Sequence, residues 1–487
     1  MTASSLKDAE ALLEAGRVAE ALLAAEMGVV QRPRDIGFAT LRDRALAAIS
    51  AMDPAFAALQ LDAAVNTHKP SAHLELGHAY ALREQWADAE RCFQKALALD
   101  PRPVEAHASL GMAYLNVGLT EAAEQHSREA LAIDGAHVVA SQTLASVLQA
   151  RGEEAAARAQ LDRAYGRQAL FEQPVADPVL RVLVLATASA GNVPYRTIMP
   201  PARYSRLVWY MEHARPGEEP DPSRYEVVFN TIGDADLAEP SLAAVERFLG
   251  RCPKPVLNLP GPVMRTRRDR IGALLGGLED VVAPRTVRVS AKDVAEQGLR
   301  ALAEAHGFSA PLLARPAGLH GGQGLIRAER PEALDSAAPA AVDHYLIDYV
   351  DYRSPDGLYR KYRVLFVGGE PFPYHQAISE GWLVHHDTAG MGDHPERRAE
   401  EARFLETPRA IIGHRAFEAV ARIGRALELD YCGVDFSVLP DGRVLVFEAN
   451  ATMLAHREDP DGPYAYKNPY VDVIARAFQA RLKARSG

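Results

Sequence analysis

Ala21, Ala55, Ala89, Ala123 and Ala157 form an unbroken series at 34-residue spacing, and this recurrence limits the first third of the chain more than any other feature. Within it the match widens. Gly77, Tyr80, Ala96 and Asp100 return one period later as Gly111, Tyr114, Ala130 and Asp134. Residues 1 to about 165 are alanine-rich, with apolar residues three and four apart and few strand formers, so they read as helix nearly throughout. Five pairs of helices fit the interval. A small residue in the second helix of each pair lets the two axes approach closely, while Leu, Tyr and Phe of neighbouring units fill the remaining space. Gly16, Gly118 and Gly152 stand at the matching turn position, where the backbone reverses.

A period of 34 residues on these positions resembles the tetratricopeptide repeat, most closely over residues 71–134. The resemblance implies a solenoid with a concave face for a peptide, a partner protein or a sister subunit. Packing on the rest of the chain and self-association to a homo-oligomer are the alternatives. His73, His107, His126 and His137 fall in this region without a metal-like pairing on one face, and are expected at helix surfaces or between repeats.

At 487 residues the chain is long enough for roughly three domains. Its net charge of -10 excludes the basic footprint that nucleic acid requires. Cys92, Cys252 and Cys432 are far apart and predict neither a disulfide framework nor a zinc site. With no apolar run long enough to span a membrane and acids at Asp8 and Glu10, the cytoplasm is the expected compartment.

Prolines at 174 and 178 end the helical region, and Leu180 to Leu185 opens a buried strand. The expected division is a repeat domain at 1–165, a linker at 166–179, an α/β domain at 180–285 and an α+β domain at 286–487. Strand, loop and helix alternate in the α/β part: Val182–Leu185, the loop Gly191–Pro194, Tyr225–Asn230, a helix over Pro240–Gly250, and Val256–Asn258. Arg268-Asp269-Arg270 then opens a further helix.

Near the end of the chain, Gly433 to Leu439 and Arg443 to Phe447 alternate apolar residues around Pro440-Asp441-Gly442, which predicts a β-hairpin. Asp435 lies on its first strand. Glu448 and Asn450 close the second strand, one residue apart and so expected on one face. Three oxygen ligands can converge there, and a hard divalent cation such as Mg²⁺ takes such ligands, with substrate phosphates completing the shell. The apolar residues around the acids favour burial over a solvated hairpin, and an unpaired carboxylate would be costly in that setting.

Gly433-Val434-Asp435-Phe436 followed by Glu448-Ala449-Asn450 resembles the ATP-grasp family, and the likeness extends over about residues 180–482. It implies an α/β domain that precedes the ATP-grasp fold proper, MgATP (or MnATP) as nucleotide, and Asp435, Glu448 and Asn450 as metal ligands. Where many members carry lysine, this chain has Arg270 and Arg315, and the likeness implies that both neutralise phosphate. A guanidinium can hold two phosphate oxygens at once, unlike an ammonium point charge. Gly318 to Gly324 resembles the flexible loop over the triphosphate, with His320, Gly321 and Gly322 as its contacts. Asp348 and Tyr349 match the hinge that meets adenine. Lys361 and Arg363 share one strand face, and Arg363 matches the family's basic strand residue. The implied reaction is ATP-dependent ligation: a substrate carboxylate becomes an acyl phosphate, and an amine or other nucleophile displaces it. Charge neutralisation by the metal and by Arg270, Arg315 and Arg363 is the expected catalytic contribution. A peptide or protein held by the solenoid is the expected substrate. The alternatives are a non-catalytic repeat scaffold with a degenerate nucleotide domain, and a phosphoryl transferase. Three further expectations concern loops: His385 and His386 on a strand, hence facing opposite ways, a solvated lid over Asp393–Glu401, and a polar loop from Ala455 to Tyr470 over the substrate end.

Overall fold

The computed structural model describes residues 5–32, 35–83, 85–100, 103–166, 168–188, 190–319, 321–336, 342–385 and 389–486. Two compact units divide the chain, Met1–Gln168 and Ala169–Gly487. An all-α repeat followed by α/β and α+β layers is the fold class expected from the sequence. Among the described residues no helix is long and apolar enough to cross a membrane.

Among the described residues of the first unit are ten helices, from Leu6–Glu14 to Glu154–Tyr165, paired as the 34-residue period requires. Ala21, Ala89, Ala123 and Ala157 are fully buried, the role the spacing predicts. Ala55 departs from the series and is exposed. Its unit has a long first helix, Ile36–Ala51, and only Met52 and Asp53 separate it from the second helix, Pro54–Val65. That helix starts late for the period, so Ala57 takes the buried position. Gly77 allows a close crossing: a Cβ there would lie 2.4 Å from Cε1 of Phe93.

The second unit holds three sheets. In the first, β2 (Leu180–Ala186), β3 (Tyr204–Tyr210), β4 (Val227–Asn230) and β5 (Val256–Leu257) run parallel, and β1 (Leu170–Gln173) adds an antiparallel edge on β3. Part of the segment expected as a linker is therefore a strand. Five of the seven residues of β2 form an unbroken buried run, as in a parallel strand covered on both faces. β6 (Val281–Val282) leaves this sheet and pairs with the hairpin described below.

The second sheet is antiparallel, in the order β7 (Thr286–Val289), β10 (His344–Asp348), β8 (Leu312–Pro316), β9 (Ile326–Ala328). The third runs β12 (Glu370–Ser379), β11 (Tyr359–Val367), β13 (Tyr431–Val438), β14 (Val444–Asn450), β6. Its β13–β14 ribbon is the predicted hairpin. Asn258 ties it to the first sheet, accepting from Tyr431 N at 3.0 Å and donating to Tyr431 O at 2.9 Å.

Two loop expectations are corrected. Residues 380–383 form a bend, and Val384 and His385 after it lie outside any strand. Most of the expected lid is the helix Pro395–Glu406, on which Glu401 is buried, because its carboxylate is bonded to His375, Gln376 and Tyr466.

Candidate functional site

Asp435 and Glu448 are direct cross-strand partners, and a bulge immediately beyond them sets Phe436 against Val446. The bulge inserts Phe447 as an extra residue, so Phe447 and Glu448, neighbours in sequence, both line one cavity. No side chain fits at Gly433 two residues before Asp435, since a Cβ there would lie 2.7 Å from Met453 Cγ and 2.8 Å from Leu365 Cδ2.

The cavity measures about 500 Å³ and lies between the second and third sheets. Its walls combine apolar side chains, among them Leu313, Ile347, Trp382, Leu445 and Phe447, with the charged groups of Arg268, Arg315, Lys361, Arg363, Asp435 and Glu448. Arg363 donates to both oxygens of Asp435, at 2.6 and 2.8 Å, and Lys361 Nζ stands 3.3 Å from Oδ2. Burial works to raise the Asp435 pKa, but Arg363 and Lys361 outweigh it and hold the carboxyl well below its ordinary range. Burial likewise opposes the charge on Glu448. Arg268, which is bonded to it, prevails and brings its pKa down to about 2. Both acids are therefore ionised at neutral pH. Arg315 is buried and donates to Leu319 O, and burial followed by repulsion from Arg268 lowers its pKa to about 10, so it stays charged.

Asn450 gives its amide nitrogen to Glu448 at 2.6 Å, while its oxygen accepts from Thr452 N and Oγ1, both at 2.9 Å. Asn450 is thus in the site, with its oxygen turned to Thr452. Asp348 and Tyr349 line the cavity as well. Arg285 pairs with Asp348 at 3.2 Å, and Arg327 donates to the Tyr349 hydroxyl at 3.0 Å. Gly321 and Gly322 line the cavity with φ of +62° and +81°, and the Cβ each lacks would meet His385 and Leu383. His320 and His386 lie outside the described residues.

Arg270 is the exception among the expected residues. It is exposed and does not line the cavity; Arg268 does. The two are about 200° apart around the helix Arg268–Leu275, so only one can face inward. Ile271 and Leu275 are the buried residues of this helix, and Arg268, three and seven residues before them, shares their face. That spacing was the available signal. Trp382 and Thr452 also line the cavity, and neither has a sequence signal of its own.

The donor set suits a hard cation. Two ionised carboxylates share one space and offer oxygen atoms to it, with the Asn450 amide beside them. Asp435 and Glu448 would hold the ion, and Asn450 could join them on exchanging its bond to Thr452.

Residues 70–103 and 92–125 match family models described as tetratricopeptide repeat, so this part of the first unit consists of such repeats. No protein of curated function matches the chain. Among solved structures, a thermophilic tetratricopeptide-repeat protein of Thermus thermophilus is 21% identical over 34% of this chain and 89% of its own, with a TM-score of 0.22. The VanG D-Ala:D-Ser ligase of Enterococcus faecalis is 13% identical over 63% of this chain and 99% of its own, with a TM-score of 0.39. The D-cycloserine synthetase DcsG is 16% identical over 61% and 99%, with a TM-score of 0.35.

Proposed function

We propose that the second unit is an ATP-dependent ligase of the ATP-grasp type that joins a carboxylate to an amine or similar nucleophile through an acyl phosphate. The observation that carries this reading is the charge balance of the cavity. Arg268, Arg315, Lys361 and Arg363 stand against Asp435 and Glu448, an excess of two positive charges around these acids, while the third lining acid, Asp348, is paired with Arg285; the space is partly buried and also has apolar walls. A magnesium–ATP complex is a dianion with an apolar, planar base, and matches that space in both sign and polarity. Bound magnesium would supply neutralisation of the phosphate oxygens.

The chain's own groups do the rest. Ile347, Leu445 and Phe447 exclude water from the base end. Asp435 and Glu448 bind the cation, and the four cationic side chains hold the phosphates as negative charge gathers there. A carboxylate attacking a phosphate must overcome repulsion between anions, and fixed cations in a partly dry site lower that cost. Gly321 and Gly322 let the loop backbone approach phosphate without a side chain in between. The solenoid favours a peptide or protein as the acceptor or donor of the bond.

One observation favours a second reading. Asp435 and Glu448 are already engaged by Arg363, Lys361 and Arg268, as in a repeat scaffold whose nucleotide site is closed. Nucleotide titration with and without Mg²⁺ separates the two readings, and an ADP-release screen over carboxylic acids, amines and peptides identifies the ligase. Tight magnesium-dependent ATP binding with ADP release supports the ligase. Absence of nucleotide binding in both conditions refutes it.

A further inference from the structure

Within the repeat unit, three side chains converge on one point. His107 is on the helix Val104–Asn116, and His126 and Glu129 are on the helix Thr120–Ile133. Nδ1 of His107 is 3.1 Å from Nδ1 of His126 and 2.8 Å from Glu129 Oε2, and His126 Nδ1 is 3.4 Å from the same oxygen. Among the described residues this is the one group of three or more His, Cys, Asp or Glu close enough to share an ion.

The geometry points to a zinc-class divalent metal site at His107, His126 and Glu129, holding the two helices of this repeat together. A tetrahedral ion with bonds of about 2.0–2.1 Å places its ligand atoms about 3.3 Å apart, close to all three separations. A point about 2 Å from each of the three atoms lies roughly 1 Å off their plane, as the centre of a tetrahedron does. Two imidazoles and one carboxylate suit zinc, cobalt or nickel better than magnesium or calcium, which sets the cluster apart from the oxygen donors of the cavity. The Glu129 side chain is 40% exposed, so water or a ligand from a partner can fill the fourth position.

Without an ion, one His107 Nδ1–H shared between Glu129 Oε2 and the Nδ1 lone pair of His126 joins the three groups; a metal ion replaces that proton and takes all three lone pairs at once. Tyr114 packs on the His126 ring, with centroids 5.5 Å apart, and orients it. The full set of three is confined to this repeat. One period earlier the same positions hold His73, Cys92 and Lys95, and one period later Ser141, Gln160 and Arg163.

The test uses the full chain, freed of metal by chelation and titrated with Co²⁺ and Zn²⁺. Expected are one Co²⁺ per chain giving the visible bands of a four-coordinate nitrogen–oxygen site, displacement by Zn²⁺, and a rise in the thermal midpoint of the repeat unit with Zn²⁺. His126→Ala removes the bands. Glu129→Gln, at a side chain exposed enough to leave folding intact, lowers Zn²⁺ affinity about tenfold or more. Absence of the bands in the parent chain, or Zn²⁺ affinity unchanged within twofold in Glu129→Gln, overturns the assignment.

Discussion

Arg363 grips Asp435 through two parallel hydrogen bonds, Nε to Oδ1 at 2.6 Å and Nη2 to Oδ2 at 2.8 Å, in a setting where the carboxylate is buried. Any cation that binds Asp435 must share it with this guanidinium. Neutralising the acid should therefore have opposite effects in the two metal conditions. In Asp435→Asn the gain in ATP affinity conferred by Mg²⁺ should shrink by about tenfold or more, the loss of a charge-assisted interaction. Without Mg²⁺ the same variant should bind ATP at least as tightly as the parent, since the surrounding cations lose an internal competitor. Calorimetric titration in Mg²⁺ and in chelator reads both numbers, and a variant matching the parent in each would refute the proposed metal role.

Arg268 and Arg270 offer a comparison within one helix. Arg268 is bonded to Glu448 inside the cavity and Arg270 is exposed. Arg268→Ala should weaken nucleotide binding about tenfold or more, and it leaves Glu448 as a buried acid without its main partner, which costs ~3–5 kcal/mol of stability where no other cation compensates. Arg315, the other cation that acts on Glu448, makes the lower end of that range the expectation. Arg270→Ala should leave nucleotide affinity within twofold. Equal losses in both variants would contradict this placement of the helix.

How far the sequence disclosed this arrangement depended on the period of each element. The hairpin acids were legible because strand alternation puts Glu448 and Asn450 on one face, and the 34-residue repeat was legible because each unit buries a small residue at the same place. Arg268 was hidden by a motif with arginine at both ends, in which only the positions of Ile271 and Leu275 tell inside from outside. The bulge that brings Phe447 beside Glu448 was not legible, since a two-for-one pairing leaves no trace in the spacing of apolar residues. Ala55 was misread for a related reason: a period says nothing about one turn shortened to two residues.

The loop that carries Gly321, Gly322 and Gly324 depends on left-handed backbone at all three. Gly322 has φ of +81°, and a Cβ there would approach Leu383 Cδ1 to 3.2 Å. Gly357 has a similar φ, +86°, with nothing within 4 Å of the missing Cβ, and it does not line the cavity. Alanine at either site should cost about 1–2 kcal/mol of backbone strain. Only Gly322→Ala should also weaken ATP binding, by roughly fivefold, because the strained loop must meet phosphate. Parallel melts and titrations of the two variants distinguish loop strain from a general loss of stability.

Acid sensitivity should come from Glu401, which is fully buried and accepts from His375 Nδ1 at 2.6 Å, Gln376 N at 3.0 Å and the Tyr466 hydroxyl. Burial alone would raise its pKa; the bond to His375 and the neighbouring positive charge reverse this and bring it to about 2, against 4.5 ordinarily. The unfolded chain therefore takes up a proton on this group near pH 4.5, and the folded chain does so only near pH 2. Its contribution is complete above pH 4.5 and is lost as the pH falls towards 2, by up to ~3 kcal/mol. Glu448 and Glu458, also held near 2, add to the same window. Glu401→Gln should be less stable than the parent at pH 7, because the amide cannot satisfy His375, Gln376 and Tyr466 as the carboxylate does. Between pH 4.5 and 3 it should lose less than the parent, because one of the depressed acids is gone. Melting curves of both proteins across that range test this, and parallel pH profiles would remove Glu401 from the account.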